Sequence, residues 1–205
     1  MERVLDVYKR PYDRKHPVVC MDETPRQLIK ETRTPIPAAS GRLERHDYAR
    51  CGVFNVFMVN EPLAGKRMTK VTERKTKSDW AEFIREIERH YKTAKKITLV
   101  MDNLGTHKAG SLYETFSPEE AKRIMDRFEF IYTPKHGSWL NMAEIELNVM
   151  IGQCLNRRMD SLEQAVRAVS ARQTRRDNLK AKVKWQFTYQ DARVKLRRLY
   201  PILEE

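Results

Sequence analysis

Val18-Val19-Cys20-Met21-Asp22 and Ile97-Thr98-Leu99-Val100-Met101-Asp102 are two apolar runs of matched build, each closed by an aspartate. Unbroken Val, Ile, Leu and Met runs of this length read as strands buried on both faces of a parallel or mixed sheet, and ligands gather at the carboxyl ends of such strands. Aspartate also follows strands simply to start a turn or cap a helix. One example would say little. Two, joined by Glu144 on the helix-like stretch from Trp139 to Gly152, form a pattern that three independent caps explain poorly.

The rest of the chain is read outward from these runs. Residues 1–17, polar and basic with Pro11 and Pro17, read as a lead-in arm. The first strand is expected to end at Glu23, and Thr24 to Arg45, with Pro25, Pro35, Pro37 and Gly41, reads as a long loop near the site. Tyr48 to Val59 and Lys66 to Glu73 form a hairpin about the turn from Asn60 to Gly65. Ser78 reads as the cap of a helix carrying Trp80, Phe83, Ile84, Ile87 and Tyr91 on one face. A helix from Pro118 to Arg127 leads into a fifth strand, Phe128 to Tyr132. Leu162, Ala165, Val166 and Val169, then Ala192, Leu196 and Leu199, mark tail helices around a basic connector from Arg172 to Lys184.

The resulting order, β-β-β-α-β-α-β-α, resembles the ribonuclease H-like fold, an α/β mixed sheet in which the first and fourth strands lie side by side and parallel. That adjacency would bring Asp22 and Asp102 together. The expected organisation is an arm over 1–17, a catalytic α/β domain over 18–156 and a basic helical C-terminal extension over 157–205.

The formal charge of +12 points to a polyanionic partner, nucleic acid first and an anionic membrane surface second. Residues 151–205 hold 13 Lys and Arg against 6 Asp and Glu, so the excess is concentrated in the tail. Three cysteines without C-x-x-C spacing argue against a disulfide framework or a zinc site and fit a reducing cytosol. No apolar stretch approaches the roughly 20 residues of a membrane span, and residues 1–6 show no signal-peptide core. The expectation is a soluble cytoplasmic protein with no membrane partner.

Phosphodiester chemistry at neutral pH needs an activated oxygen, stabilisation of a pentacovalent charge and a leaving group made acceptable. Two Mg²⁺ ions about 4 Å apart meet all three needs, and hard cations take oxygen ligands. Asp22 and Asp102 would supply them, with Asp22 the bridging ligand. At about 100° per residue, Asn141, Glu144 and Asn148 share one narrow helix face and Glu146 points away from it, so Glu144 is the third ligand. The remaining circumference is largely apolar, which reads as a buried helix with Trp139 in the core. Glu23 alternates away from Asp22 and reads as structural.

The segments Met21 to Pro25, Met101 to His107 and Tyr132 to Glu144 resemble the three catalytic blocks of the mariner-like DDE transposases, in their bacterial insertion-sequence branch. The ending Trp185-Gln186-Phe187-Thr188, with Asp191-Ala192-Arg193 through Pro201, is similar to the tail of that group, so the resemblance spans about Val18 to Pro201. It implies a catalytic and metal-binding triad of Asp22, Asp102 and Glu144, using two Mg²⁺ or Mn²⁺. The separation of Asp102 from Glu144 exceeds the spacing typical of the family, and a helix-bearing insert over Leu112 to Arg127 accounts for the excess.

DNA contacts are expected from Asn103 and His107, spaced i, i+4 after the strand, and from Lys135 and His136 before the amino end of the third-block helix. Arg172, Arg175, Arg176, Lys180, Lys182 and Lys184 are expected to hold phosphates. The reading is a transposase catalytic domain that cuts and transfers strands, nucleoid-associated in a bacterial cytoplasm, acting on element ends and target DNA as a homo-oligomer. The chain starts just upstream of the first catalytic strand and leaves no room for the family's helix-turn-helix readers, which a separate frame could encode. Two alternatives are an idle regulator that binds DNA or full-length enzyme, and a ribonuclease H-like nuclease or resolvase.

Overall fold

The computed structural model describes residues 1–34, 39–40, 47–135 and 137–200. Among them, β1 (Val18–Glu31), β2 (Tyr48–Glu61), β3 (Lys66–Thr72), β4 (Ile97–Met101) and β5 (Phe128–Tyr132) form one sheet in the order β3-β2-β1-β4-β5. β2 runs antiparallel to both β1 and β3, while β1, β4 and β5 are parallel. Val18, Val19 and Cys20 pair with Thr98, Leu99 and Val100. Continuing that register by two residues sets Asp22 level with Asp102.

Alternation along the strands divides the core between two faces. On one, Val19, Met21, Leu99 and Met101 pack with Trp80, Phe83, Ile84 and Ile87 of α2 (Lys77–His90), Leu112 of α3 (Ala109–Thr115) and Ile124 of α4 (Pro118–Arg127). On the other, Cys20, Val100 and Ile131 meet Met142 and Ala143 of α5 (Met142–Met150) and Val4, Leu5 and Val7 of α1 (Glu2–Tyr8). Farther along that face, Phe54, Val56 and Met58 pack with Leu147 and Met150, and with Ala165 and Val169 of α6 (Leu162–Asn178). α7 (Tyr189–Lys195) closes the described chain through buried Ala192.

Several sequence expectations need correction. The lead-in arm contains a packed helix, because Val4, Leu5, Val7 and Tyr8 fall on one α-helical face and find the Cys20 side of the sheet. β1 continues past Glu23 through Pro25 to Glu31, so the expected loop is shorter. Beyond Cys20 the only strand paired with it is β2, and proline is tolerated along such an edge. Residues 35–38 and 41–46 of that loop lie outside the described residues. Thr76 caps α2 in place of Ser78, because Thr76 and Asp79 satisfy each other's backbone N–H groups.

α4 and β5 fall on the expected residues, with Ser117 capping and Pro118 in the first turn. The short α3 was not foreseen, having no side-chain cap to announce it. In the tail, α6 runs through Asn178, so Arg172, Arg175 and Arg176 lie on a helix and not on a connector.

Candidate active site

Asp22 sits on β1 where the parallel pairing with β4 gives out. Its Oδ1 accepts a 2.8 Å hydrogen bond from the Glu23 N–H. Asn141, almost wholly buried, donates through Nδ2 to the Met21 carbonyl at 2.8 Å and to Asp22 Oδ2 at 3.4 Å. The same side chain caps α5, its Oδ1 accepting from the Ala143 N–H at 3.1 Å. One asparagine thus ties the start of the Glu144 helix to the strand carrying Asp22. Burial raises the Asp22 carboxyl, opposed by the Glu23 N–H and reinforced by the charges of Glu23, Asp102 and Glu144, to about 7.

Asp102 follows β4 and is held by His107. The His107 ring is fully buried, with Nδ1 2.5 Å from Asp102 Oδ1 and Nε2 3.2 Å from Glu23 Oε2, and it stacks on Trp80 at 5.8 Å. The Nδ1 contact is a hydrogen bond, whereas the Glu23 approach lacks hydrogen-bond alignment and is an ionic contact. Burial lowers the His107 pKa, but Asp102 and Glu23 outweigh it and hold it at about 9, so the ring is cationic at neutral pH. Burial likewise works against the Asp102 charge, yet the His107 hydrogen bond keeps that carboxyl below the usual range. His107 is therefore no contact for DNA phosphates; the chain after β4 forms turns instead of a helix, and both ring nitrogens meet carboxylates. Glu23 is structural as expected, with Lys75 3.1 Å from its Oε1.

Glu144 lies in the first turn of α5 and is partly exposed. Glu146 is directed elsewhere. Only 2% exposed, it meets Arg67 Nε at 2.7 Å and Arg176 Nη2 at 2.6 Å. Burial opposes its charge, and the two guanidinium groups prevail and lower its pKa. Arg67 also donates to the Gly65 carbonyl at 2.9 Å, to Asp177 at 3.3 Å and to the Ala181 carbonyl. Arg176 is thus paired with a buried carboxylate, its own side chain remaining 21% exposed. Arg172 donates to Gln153, while Arg175, Lys180, Lys182 and Lys184 are exposed.

Asn103, which follows Asp102 in the chain, and Lys135 are exposed, and His136 lies outside the described residues. Trp139 is 42% exposed, against the expectation of a core position, because the chain before α5 forms a short 3-10 turn whose Leu140 takes the buried place. Sequence reading passed over Asn141 as a structural tie; an asparagine immediately before a helix was the available signal. It also passed over Tyr8, whose hydroxyl donates to the Leu140 carbonyl at 2.7 Å and accepts from the Met142 N–H at 3.3 Å.

Among the described residues, no three His, Cys, Asp or Glu side chains stand close enough together to grip one metal ion. The donor set nonetheless fits a hard divalent cation. Asp22, Asp102 and Glu144 carry carboxylate oxygens, the donors that hard divalent cations take.

A ribonuclease H-like sheet with aspartates at the ends of its paired parallel strands and a glutamate on the facing helix defines a class of carboxylate-bearing, nucleic-acid-processing folds. The chain belongs to the DDE superfamily endonucleases, whose family model matches residues 17–165. Its fold is similar to that in the crystal structure of the Mos1 strand transfer complex, with a TM-score of 0.60 and 15% identity over 88% of this chain and 53% of that one. It therefore spans about half the length of that chain. No curated protein matches the sequence. Both positive findings agree with the mariner-like DDE resemblance of the three blocks. Superfamily endonucleases of this kind use divalent metal ions. No helix among the described residues is long and apolar enough to cross a membrane.

Proposed function

We propose that the chain is the catalytic domain of a DNA transposase, cutting strands at element ends and joining the freed 3′ hydroxyl to target DNA. The observation that supports this most is the geometry of the sheet edge: Asp22 stands where β1 and β4 cease to pair, Asp102 follows β4, and Asn141 ties the start of the Glu144 helix to Asp22.

Asp22, Asp102 and Glu144 would hold two Mg²⁺ or Mn²⁺ ions, which supply Lewis acidity toward phosphate oxygens and an activated nucleophile when bound. Asn141 and the Glu23 N–H fix the carboxylate of Asp22, and His107 fixes that of Asp102, so two oxygen donors are oriented before substrate arrives. Exposed Arg175, Lys180, Lys182 and Lys184 attract the DNA backbone without reading its sequence. In the first step water displaces a 3′ oxygen from phosphorus. In the second that hydroxyl displaces a 3′ oxygen in target DNA, so each bond formed replaces one of the same kind.

The test is a nicking and strand-transfer assay on duplexes bearing the element's terminal repeat. Cleavage should require Mg²⁺ or Mn²⁺ and disappear in Asp22→Asn, Asp102→Asn and Glu144→Gln proteins that melt cooperatively. Cleavage undiminished in any of these folded variants refutes the assignment.

A further inference from the structure

Tyr8, the last residue of α1, places its hydroxyl between the two elements that carry Asp22 and Glu144. That hydroxyl donates to the Leu140 carbonyl at 2.7 Å, accepts from the Met142 N–H at 3.3 Å and lies 3.6 Å from Cys20 Sγ. Burial lifts Tyr8 well above the ordinary tyrosine range, so it keeps its one proton. Leu140 takes that proton, which leaves the Cys20 thiol as the donor in the third contact. Cys20 stands two residues before Asp22 on β1, and Met142 stands two residues before Glu144 on α5. One oxygen thus joins the strand of one carboxylate to the helix of another.

We propose that Tyr8 is a positioning residue for the carboxylate site: its hydroxyl fixes the amino end of α5 against β1 and so sets where Glu144 stands relative to Asp22. This rests on the reading of those carboxylates as a metal-binding, DNA-processing site.

The first turn of a helix leaves amide donors without partners inside the helix. In α5 the Ala143 N–H goes to Asn141 Oδ1 at 3.1 Å and the Glu144 N–H to the Asn141 carbonyl at 3.0 Å, both from the residue next to the helix. The Met142 N–H goes to Tyr8, 134 positions upstream. Asn141 already holds β1 through the Met21 carbonyl. A turn attached by one side chain can pivot about it. Tyr8 bonds Leu140 and Met142, on either side of Asn141, and this second attachment removes that freedom.

Packing does not require the oxygen. Val4, Leu5 and Val7 are each 1% exposed, and Arg193 holds Glu2 through two hydrogen bonds of 2.7 and 2.9 Å, so α1 is docked without it. The Tyr8 ring meets Trp185 with centroids 5.2 Å apart, a contact that phenylalanine would keep.

The experiment first reads amide exchange by NMR on the whole chain in EDTA, where no metal is bound. The Met142 amide should be protected in wild type despite its place in the first turn, and should exchange roughly tenfold faster in Tyr8→Phe, with the Leu99 amide in the sheet unchanged. Mg²⁺ is then titrated against melting temperature and against strand cleavage. Half-saturation should rise roughly tenfold in Tyr8→Phe, as expected when the support of a metal ligand is removed, while duplex affinity in EDTA stays the same. Tyr12→Phe, which alters an exposed tyrosine just beyond α1, should behave as wild type. An unprotected Met142 amide in wild type overturns the proposal without reliance on any variant. Unchanged Mg²⁺ half-saturation in Tyr8→Phe, with activity lost only in proportion to unfolded protein, would assign the hydroxyl to stability alone and also overturns it. Intact cleavage by the folded Asp22→Asn, Asp102→Asn and Glu144→Gln proteins would refute the catalytic reading and leave the Met142 protection unchanged, so the two failures are distinguishable.

Discussion

Glu144 and Glu146 lie two positions apart on one helix and have opposite electrostatic surroundings. Glu144 repels Asp22 across the sheet edge, while Glu146 is enclosed by Arg67 and Arg176. Of the two, Glu146 is thus the one tied into the architecture.

The first prediction exploits that division. Glu146→Gln removes the anion from two guanidinium groups, one of them buried, and should destabilise the fold by about 3 kcal/mol, the cost of breaking one side of a buried pair. Mg²⁺ should still raise its melting temperature. Glu144→Gln should melt no lower than the parent in EDTA and lose the Mg²⁺-dependent increase. Calorimetry with and without Mg²⁺ checks both, and the opposite pattern would exchange the two roles.

Asp22 should leave a signature in the pH dependence of stability. Its folded pKa of about 7 lies above the ordinary aspartate value. A raised pKa means its contribution to stability is fully present below the unfolded value and is lost as pH rises through about 7. In EDTA, Asp22→Asn should therefore become progressively more stable than wild type from about pH 4 to about pH 7. Urea titrations across this range measure the difference, and parallel curves would show that Asp22 carries no such strain.

Exposed and interior arginines of α6 should separate by assay. Arg175→Glu is expected to weaken binding to any duplex and flatten its salt dependence, with little change in melting. Arg176→Glu should lower the melting temperature markedly, because it sets a carboxylate against Glu146. Fluorescence anisotropy over a salt series, paired with thermal melts, distinguishes them. Equal melting of the two variants would contradict the ion pair.

The cysteines offer a check on packing. Cys51 is exposed, whereas Cys20 and Cys154 are buried, the Cys20 thiol being pushed up to about 12 by burial. A maleimide should label one thiol per native chain rapidly and the remaining two only after denaturation. Rapid native labelling of Cys20 would mean that α1 does not stay docked over it.

The fold was legible wherever hydrophobic period was strong. The Val18 and Ile97 runs, the apolar face of α2 and the boundaries of α4 and β5 each follow from local pattern. That Glu146 points away from Glu144 also came from angular spacing alone, since residues two positions apart on a helix point about 200° apart. What escaped were relationships between distant segments. Nothing near His107 announces that its ring will meet Asp102 and Glu23, and i, i+4 reasoning misled because the turn there is not helical. α1 was missed for a related reason, since its short apolar stripe becomes meaningful only against the Cys20 side of the sheet. Trp139 looked like core because its neighbours are apolar, and only the turn at Gly137 sets it outward.

The network around Arg67 carries a consequence for biosynthesis. Its guanidinium joins partners 79, 110 and 114 positions downstream. While the chain is emerging from the ribosome, the hairpin bearing Arg67 can form early, yet a buried cation has no compensation until α5, α6 and the segment after it arrive. Glu144 cannot settle into register before Glu146 does. In a nascent chain the helix that carries Glu144 therefore docks late, only after α6 and the segment through Ala181 have been translated.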